Sequence, residues 1–190
     1  MALLTAAQVR ARQPQRVSSD AAYSDELLEG LVAEFTELAT LYRGVAYEEK
    51  TTTQVSGNDR HGNSLFLGWP LVSSVDEVTI DGQEWSGSYT LDGAAGVVYG
   101  LPTSGVLAVT YTHGHDTPPP TVLRACALWV ALEAVASMKA TVDNAYSVVA
   151  ADGSIERRST ADWIAGRPTG WQPVDAALNQ LPDYRVPGIG

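Results

Sequence analysis

The chain has a single cysteine, Cys126, among 190 residues, which excludes an internal disulfide framework and any zinc site built from several cysteines. It is short of positive charge: 12 Lys and Arg stand against 22 Asp and Glu, a formal net charge of −10. Such a chain lacks the clustered basic residues that grip phosphate backbones over a broad surface. Long apolar runs are missing too. The longest uninterrupted one is Ala125–Leu132, against the roughly 20 residues needed to cross a bilayer, so no membrane partner is expected. Met1–Arg16 holds no apolar core of the signal-peptide kind, and the expectation is a protein of a reducing compartment. Charged residues are only 18%, but hydrophobics at 45% exclude wholesale disorder. The length fits one compact unit with room for a tail.

What is present divides by period. Thr5 and Gln8 have the spacing of a capping box, and Leu4 with Val9 that of its hydrophobic staple. Pro14 ends this short helix, over about 5–13, which serves as a docking arm or as a lid over the core. Ser24 caps a second helix, over about 24–44, with Asp25 and Glu26 at the positive end of its dipole. Leu27, Leu28, Leu31, Val32, Phe35, Leu38, Leu41 and Tyr42 follow the 3.6-residue period, while Glu29, Thr36, Glu37 and Thr40 fill the opposite, wet face. From Val45 the period becomes two. Strand formers, a kink at Trp69-Pro70 and turn signals at Asp81-Gly82 and Asp92-Gly93 predict a five- or six-strand antiparallel meander over about 46–113.

Thr117-Pro118-Pro119-Pro120 opens a third helix, over about 121–141, that is apolar nearly all round. A helix of that kind is buried, and in a chain this small a subunit contact through Trp129 and Val130 would account for it. Residues 1–145 therefore read as one domain and 146–190 as a C-terminal arm. The arm carries a short strand at Tyr146–Ala150, a turn at Asp152-Gly153 and a helix at Val174–Gln180. Trp163, Trp171, Leu178, Tyr184 and Val186 lie among its glycines and prolines, where a free tail would be polar. They are expected to lie on a surface, a partner's or the chain's own.

Chemistry has few candidates. His113-Gly114-His115-Asp116 places two histidines on one side of a strand end, where they would share a metal. The string is similar to the His-x-His-x-Asp-His of metallo-β-lactamase-type hydrolases, but the Asp comes one residue early and Thr117 stands next. His61 lies in another loop. The ordinary reading is a polar strand-to-helix connection. Cys126 sits inside the apolar helix as a small hydrophobe. Asp76, Glu77, Asp81 and Glu84 would serve hydrolysis as paired carboxylates or simply solvate a hairpin. Gly93-Ala94-Ala95-Gly96 precedes a strand and lacks the lysine of a phosphate loop. Arg157-Arg158 with Arg167 forms a small basic cluster. No catalytic residue, cofactor or metal is expected, and the placing of aromatics in the β-region and the C-terminal segment suits an interaction protein.

Residues 70–82, with Pro70-Leu-Val-Ser-Ser-Val and Val78-Thr-Ile-Asp-Gly82, and residues 109–125, with Val109-Thr-Tyr-Thr-His-Gly114 leading through prolines to Ala125, carry a resemblance. Over about 20–142 the order of parts resembles the head–tail connector (adaptor) proteins of long-tailed bacteriophages, particularly of actinobacterial phages. The resemblance implies an α+β fold, a small helical bundle with an inserted antiparallel β-meander or sandwich and an extended C-terminal arm. It implies a structural virion protein of the neck, made in the host cytoplasm, in a ring of about twelve copies. The ring would dock under the portal, extend the DNA channel and receive the tail. Its partners would be itself, the portal, further neck or tail proteins, and DNA passing without sequence-specific binding. Trp163, Trp171, Leu178 and Tyr184 would then dock on the portal. The alternatives are a tail-completion or terminator ring, which should lack the long apolar helix, and a small metal-dependent hydrolase using His113 and His115.

Overall fold

Helix α1, Ala6–Arg12, begins as its sequence signals: the Thr5 side chain accepts from the Gln8 N–H, and the Gln8 side chain accepts from the Thr5 N–H. These two bonds satisfy donors that a helix start leaves open. The computed structural model describes residues 2–18, 22–56, 62–139, 147–149, 155–157, 159 and 161–185. His61, Asp143-Asn144, the Asp152-Gly153 turn, Arg158 and Val186 lie outside the described residues. Two compact units are formed: Met1–Arg43 with Pro118–Asp183, and Gly44–Thr117 with the stretch from Tyr184.

The first unit is helical. Helix α2, Asp25–Arg43, and helix α3, Pro120–Lys139, pack together, with α1 laid against both. Leu4 and Val9 are buried, so α1 is a lid. On α2 Leu28, Val32, Phe35 and Tyr42 are buried as the period predicts, with Ala39 buried beside them, and Leu41 is exposed. Thr36 and Thr40, expected on the wet side, are buried. Thr36 tolerates this because its hydroxyl donates to the Val32 carbonyl at 2.7 Å. Over Pro120–Met138, α3 is long and apolar enough to cross a membrane by composition, with a mean hydropathy of 1.5, but 56% of that window is buried inside the chain. Val122, Ala125, Cys126, Trp129, Val130 and Leu132 are core residues. The Trp129 ring lies 5.7 Å from Phe35. The interface expected at Trp129 and Val130 is thus corrected: both side chains are buried in the unit's own core, while Arg124, Ser137 and Met138 of α3 are exposed.

Past α3, strands β8 (Ser147–Val149) and β9 (Ile155–Arg157) pair as a hairpin, and helix α4, Gln172–Asn179, packs on α3.

The second unit is built of β-strands in two antiparallel sheets. One holds β1 (Lys50–Ser56), β7 (Leu107–His113), β3 (Val72–Ile80) and β4 (Gln83–Glu84), in that order across the sheet. The other holds β2 (Ser64–Phe66), β6 (Val97–Tyr99) and β5 (Thr90–Asp92), in that order. The expected meander is therefore corrected in its topology: β1 pairs with the last strand, β7, and β2 leaves for the second sheet. Both sheets contribute to one apolar core, Leu65 and Val98 from one and Val72, Val78, Leu107, Val109 and Tyr111 from the other. The Asp81-Gly82 signal forms a hairpin turn with positive φ at both residues, 51° and 78°, as a type I′ turn requires.

Candidate functional site

His113 closes β7 facing the core and is buried. Its Nε2 lies 3.0 Å from the Thr52 hydroxyl, and its ring stacks on Trp69 at 5.2 Å with 9° between the planes. His115 stacks instead on Tyr47, at 5.6 Å and 3°. The two imidazoles are thus held by different aromatic partners. Burial lowers the pKa of both, and the Lys50 charge adds to the effect at His113. Burial raises the neighbouring Tyr111 phenol, partly offset by backbone bonds from Gly68 and Trp69. Among the described residues, no three His, Cys, Asp or Glu side chains come together to hold a metal.

Of the four candidate carboxylates, Asp76 and Asp81 are engaged in hydrogen bonds, and three of the four share one cleft. Asp76 accepts from Ser74 at 2.6 Å and from Thr112 at 2.9 Å, on a sheet face where Thr51 meets Thr112 and Thr53 meets Thr110. Asp81 accepts from the Val106 N–H at 2.8 Å. Asp76, Glu77 and Glu84 line one open cleft of about 180 Å³ with Trp85 and Tyr89. Gly93 has a structural duty: a Cβ there would fall 2.2 Å from the Val72 carbonyl oxygen, where the Gly93 carbonyl accepts from the Val72 N–H. Cys126 is buried within α3.

The C-terminal segment repays closer reading. Trp171 is fully buried and its indole N–H donates to Glu133 at 3.0 Å. Leu178 is fully buried as well. Trp171 stands at the N-cap of α4 and Leu178 lies within it, and α4 packs against α3, so the partner-facing role expected of them gives way to a role in the core. Tyr184 is half-buried. Trp163, by contrast, is 42% exposed and Ile164 is fully exposed. They form the tip of a turn closed by two backbone bonds between Asp162 and Arg167, at 2.8 and 2.7 Å. The Asp162 carboxylate accepts from the Ala165 N–H at 3.0 Å; that bond chiefly, then the Ile164 N–H and the Arg167 charge, lowers its pKa.

Arg43 is the residue the sequence did not flag. It is buried at the end of α2, and its Nε donates to the Leu178 carbonyl at 2.8 Å, satisfying an open acceptor at the C-terminus of α4. Asn179 accepts from the Tyr42 hydroxyl at 2.6 Å and donates to the Gly166 carbonyl at 2.7 Å. Trp163 then meets Tyr42 edge-on at 5.5 Å. These contacts fix the exposed turn to the helices. The only advance signal was a basic residue in the last turn of α2, which marks many helices that anchor nothing.

No family model matches the chain, and no curated protein matches it in sequence. Among solved structures that share its fold is a chain from the neck of an empty GTA (gene transfer agent) particle computed with C6 symmetry. The two superpose with a TM-score of 0.58 at 16% identity, over 95% of this chain and 91% of that one. At that identity the likeness establishes the fold: an α+β chain of helices and antiparallel sheets, matched nearly end to end.

Proposed function

We propose that this chain is a structural protein of the neck of a phage-like particle, where copies form the head–tail connector (adaptor) ring below the portal. The observation that carries the reading is the near-complete match to a neck chain, in which neither the helical unit nor the β unit is left over. The actinobacteriophage resemblance of residues 70–82 and 109–125 points the same way. Ring assembly is supported by the C6 symmetry of the neighbour's neck, which is compatible with six copies or with two sets of six. The adaptor role is preferred to a tail terminator because α3 is the long apolar helix expected of the former. A hydrolase loses support because His113 is buried with its Nε2 against the Thr52 hydroxyl, and among the described residues no three His, Cys, Asp or Glu side chains gather around either histidine. Portal, tail proteins and passing DNA are the proposed partners, and the virion neck, after assembly in the host cytoplasm, is the proposed location.

The test is imaging of particles whose copy of this chain carries a gold-binding tag, together with particles lacking the chain. The label should fall at the head–tail junction. Particles without the chain should separate into heads and unattached tails of normal length. Tails of uncontrolled length would assign the terminator role instead, and label elsewhere on the particle would reject the neck reading.

A further inference from the structure

Strand β1 is an outer strand of its sheet, and the hydrogen bonds at the two ends of β7 fix which of its backbone groups face outward. The Asp81 N–H donates to the Val106 carbonyl, and the Gly114 N–H donates to the Leu71 carbonyl. Backbone groups alternate sides along a strand, so Ala108, Thr110 and Thr112 address β3, while Leu107, Val109 and Tyr111 address β1. In the unbroken β1–β7 register Gln54 lies opposite Val109 and Thr52 opposite Tyr111. The N–H and C=O of Thr52 and Gln54 therefore point at β7, and those of Thr51, Thr53 and Val55 point away from the sheet. No hydrogen bond from a described residue reaches these outward groups. All three residues are exposed, Val55 to 67%. Folded chains ordinarily blunt such an edge with proline, a bulge, an inward charge or a very short strand. β1 runs for seven residues, Lys50–Ser56, with no proline, no bulge against β7 and its one charge at the first position. The other outer strands described are two or three residues long.

We propose that the β1 edge is a strand-addition site, which takes an extended, positively charged segment of a different protein as the next strand; a second copy is set aside on the strength of the neck reading. Donors and acceptors spaced along an open edge are met by another extended backbone, which supplies the affinity. A second copy fits poorly. Among the described residues its one edge of matching length is β1 itself, and β1–β1 pairing is two-fold, which closes as a dimer and not as a ring about one axis. Charge narrows the choice further. The chain carries a net −10, and Glu49 is exposed immediately before the edge, so a segment with lysines at its ends is drawn in. Alongside Thr51, Thr53 and Val55 the segment's own side chains should be β-branched, because such residues pack well across strands.

The test uses the full-length chain with the peptide Lys-Val-Thr-Val-Thr-Val-Lys and a counterpart with Glu at both ends, read by hydrogen exchange at single amides. In the free chain the amides of Thr51, Thr53 and Val55 should exchange about tenfold or more faster than those of Thr52 and Gln54. The Lys peptide, at about ten times its dissociation constant, should slow the first three about tenfold. The Glu peptide should bind about tenfold more weakly at low salt, with the gap narrowing as salt rises. Thr53→Pro removes an outward N–H and no bond to β7, so it should keep the fold and lose the peptide. If that variant unfolds, the wild-type exchange pattern alone decides. Outward amides already slow in the free chain at every concentration would show the edge covered. Slowing that sets in only as the chain is concentrated would assign the edge to a second copy. Either result, or a Lys peptide that protects nothing or binds no better than the Glu peptide, overturns the proposal. A chain located in the neck whose edge refuses the peptide overturns strand addition alone, and a chain located elsewhere whose edge takes it overturns the neck reading alone.

Discussion

Trp69 and Tyr47 each hold a histidine ring face to face, and the consequence is a stability that depends on pH. Burial lowers the pKa of His113 and His115 below the ordinary 6.5, with Lys50 adding at His113. The unfolded chain therefore binds protons that the folded chain refuses, and stability rises with pH wherever that difference exists. The contribution is complete above about 6.5 and is lost as pH falls below it toward the lowered native values. The urea midpoint of wild type should accordingly drop as pH is taken from about 8 to about 5, and a His113→Gln, His115→Phe variant should show a smaller drop. Equal drops in the two proteins would refute the assignment. At Gly93 the constraint is steric rather than electrostatic. A methyl group 2.2 Å from the Val72 carbonyl oxygen forces backbone to move, so Gly93→Ala should lower unfolding free energy by about 1–3 kcal/mol, read by denaturant titration.

Among the elements, the helices were the most legible because their signals are local. Thr5 with Gln8 gave the start of α1, Asp25 and Glu26 the start of α2, and Pro118–Pro120 the start of α3, all within a residue or two of the observed bounds. The Asp81-Gly82 turn was legible for the same reason. Strand pairing was not, since nothing in Lys50–Ser56 names β7 as its partner across more than fifty residues. The C-terminal segment was misjudged at particular side chains. Trp171 looked like a partner anchor because its own acceptor, Glu133, is 38 residues away, and Arg43 looked like any last-turn cation. The all-apolar α3 suggested a neighbouring subunit, whereas α1, α2 and α4 of the same chain cover it. Removing residues 160–190 should then strip α4 from α3 and lower the melting temperature far more than Ile164→Asp does. Trp129→Ala should cost about 3–5 kcal/mol in denaturant unfolding. A truncated chain that melts with wild type would return the segment to the status of a free arm.

Over the whole molecule, charge is what a channel component would present to DNA. The negative excess is concentrated in the β unit: residues 44–117 contain nine Asp and Glu against Lys50 and Arg60. Non-specific DNA affinity comes from cations that release counterions from phosphates, and each neutralised phosphate adds a log–log salt slope of about −0.9. With so few cations in that unit, the wild-type chain should fail to retard duplex DNA even at low salt. Glu49, Glu77 and Glu84 are exposed, so they can be changed without disturbing the core. Replacing all three by Lys adds two charges at each, moving the net charge from −10 to −4. If the acidic surface is what prevents sticking, this variant should fold with an unchanged melting temperature, retard DNA at low salt and release it as salt rises, with a slope near −2.7 for three contacts at about −0.9 each. Particles built with it should release their DNA more slowly than wild type. Retardation by the wild-type chain, or a charge-reversed variant that still ignores DNA, would show that the negative surface has no part in letting DNA pass.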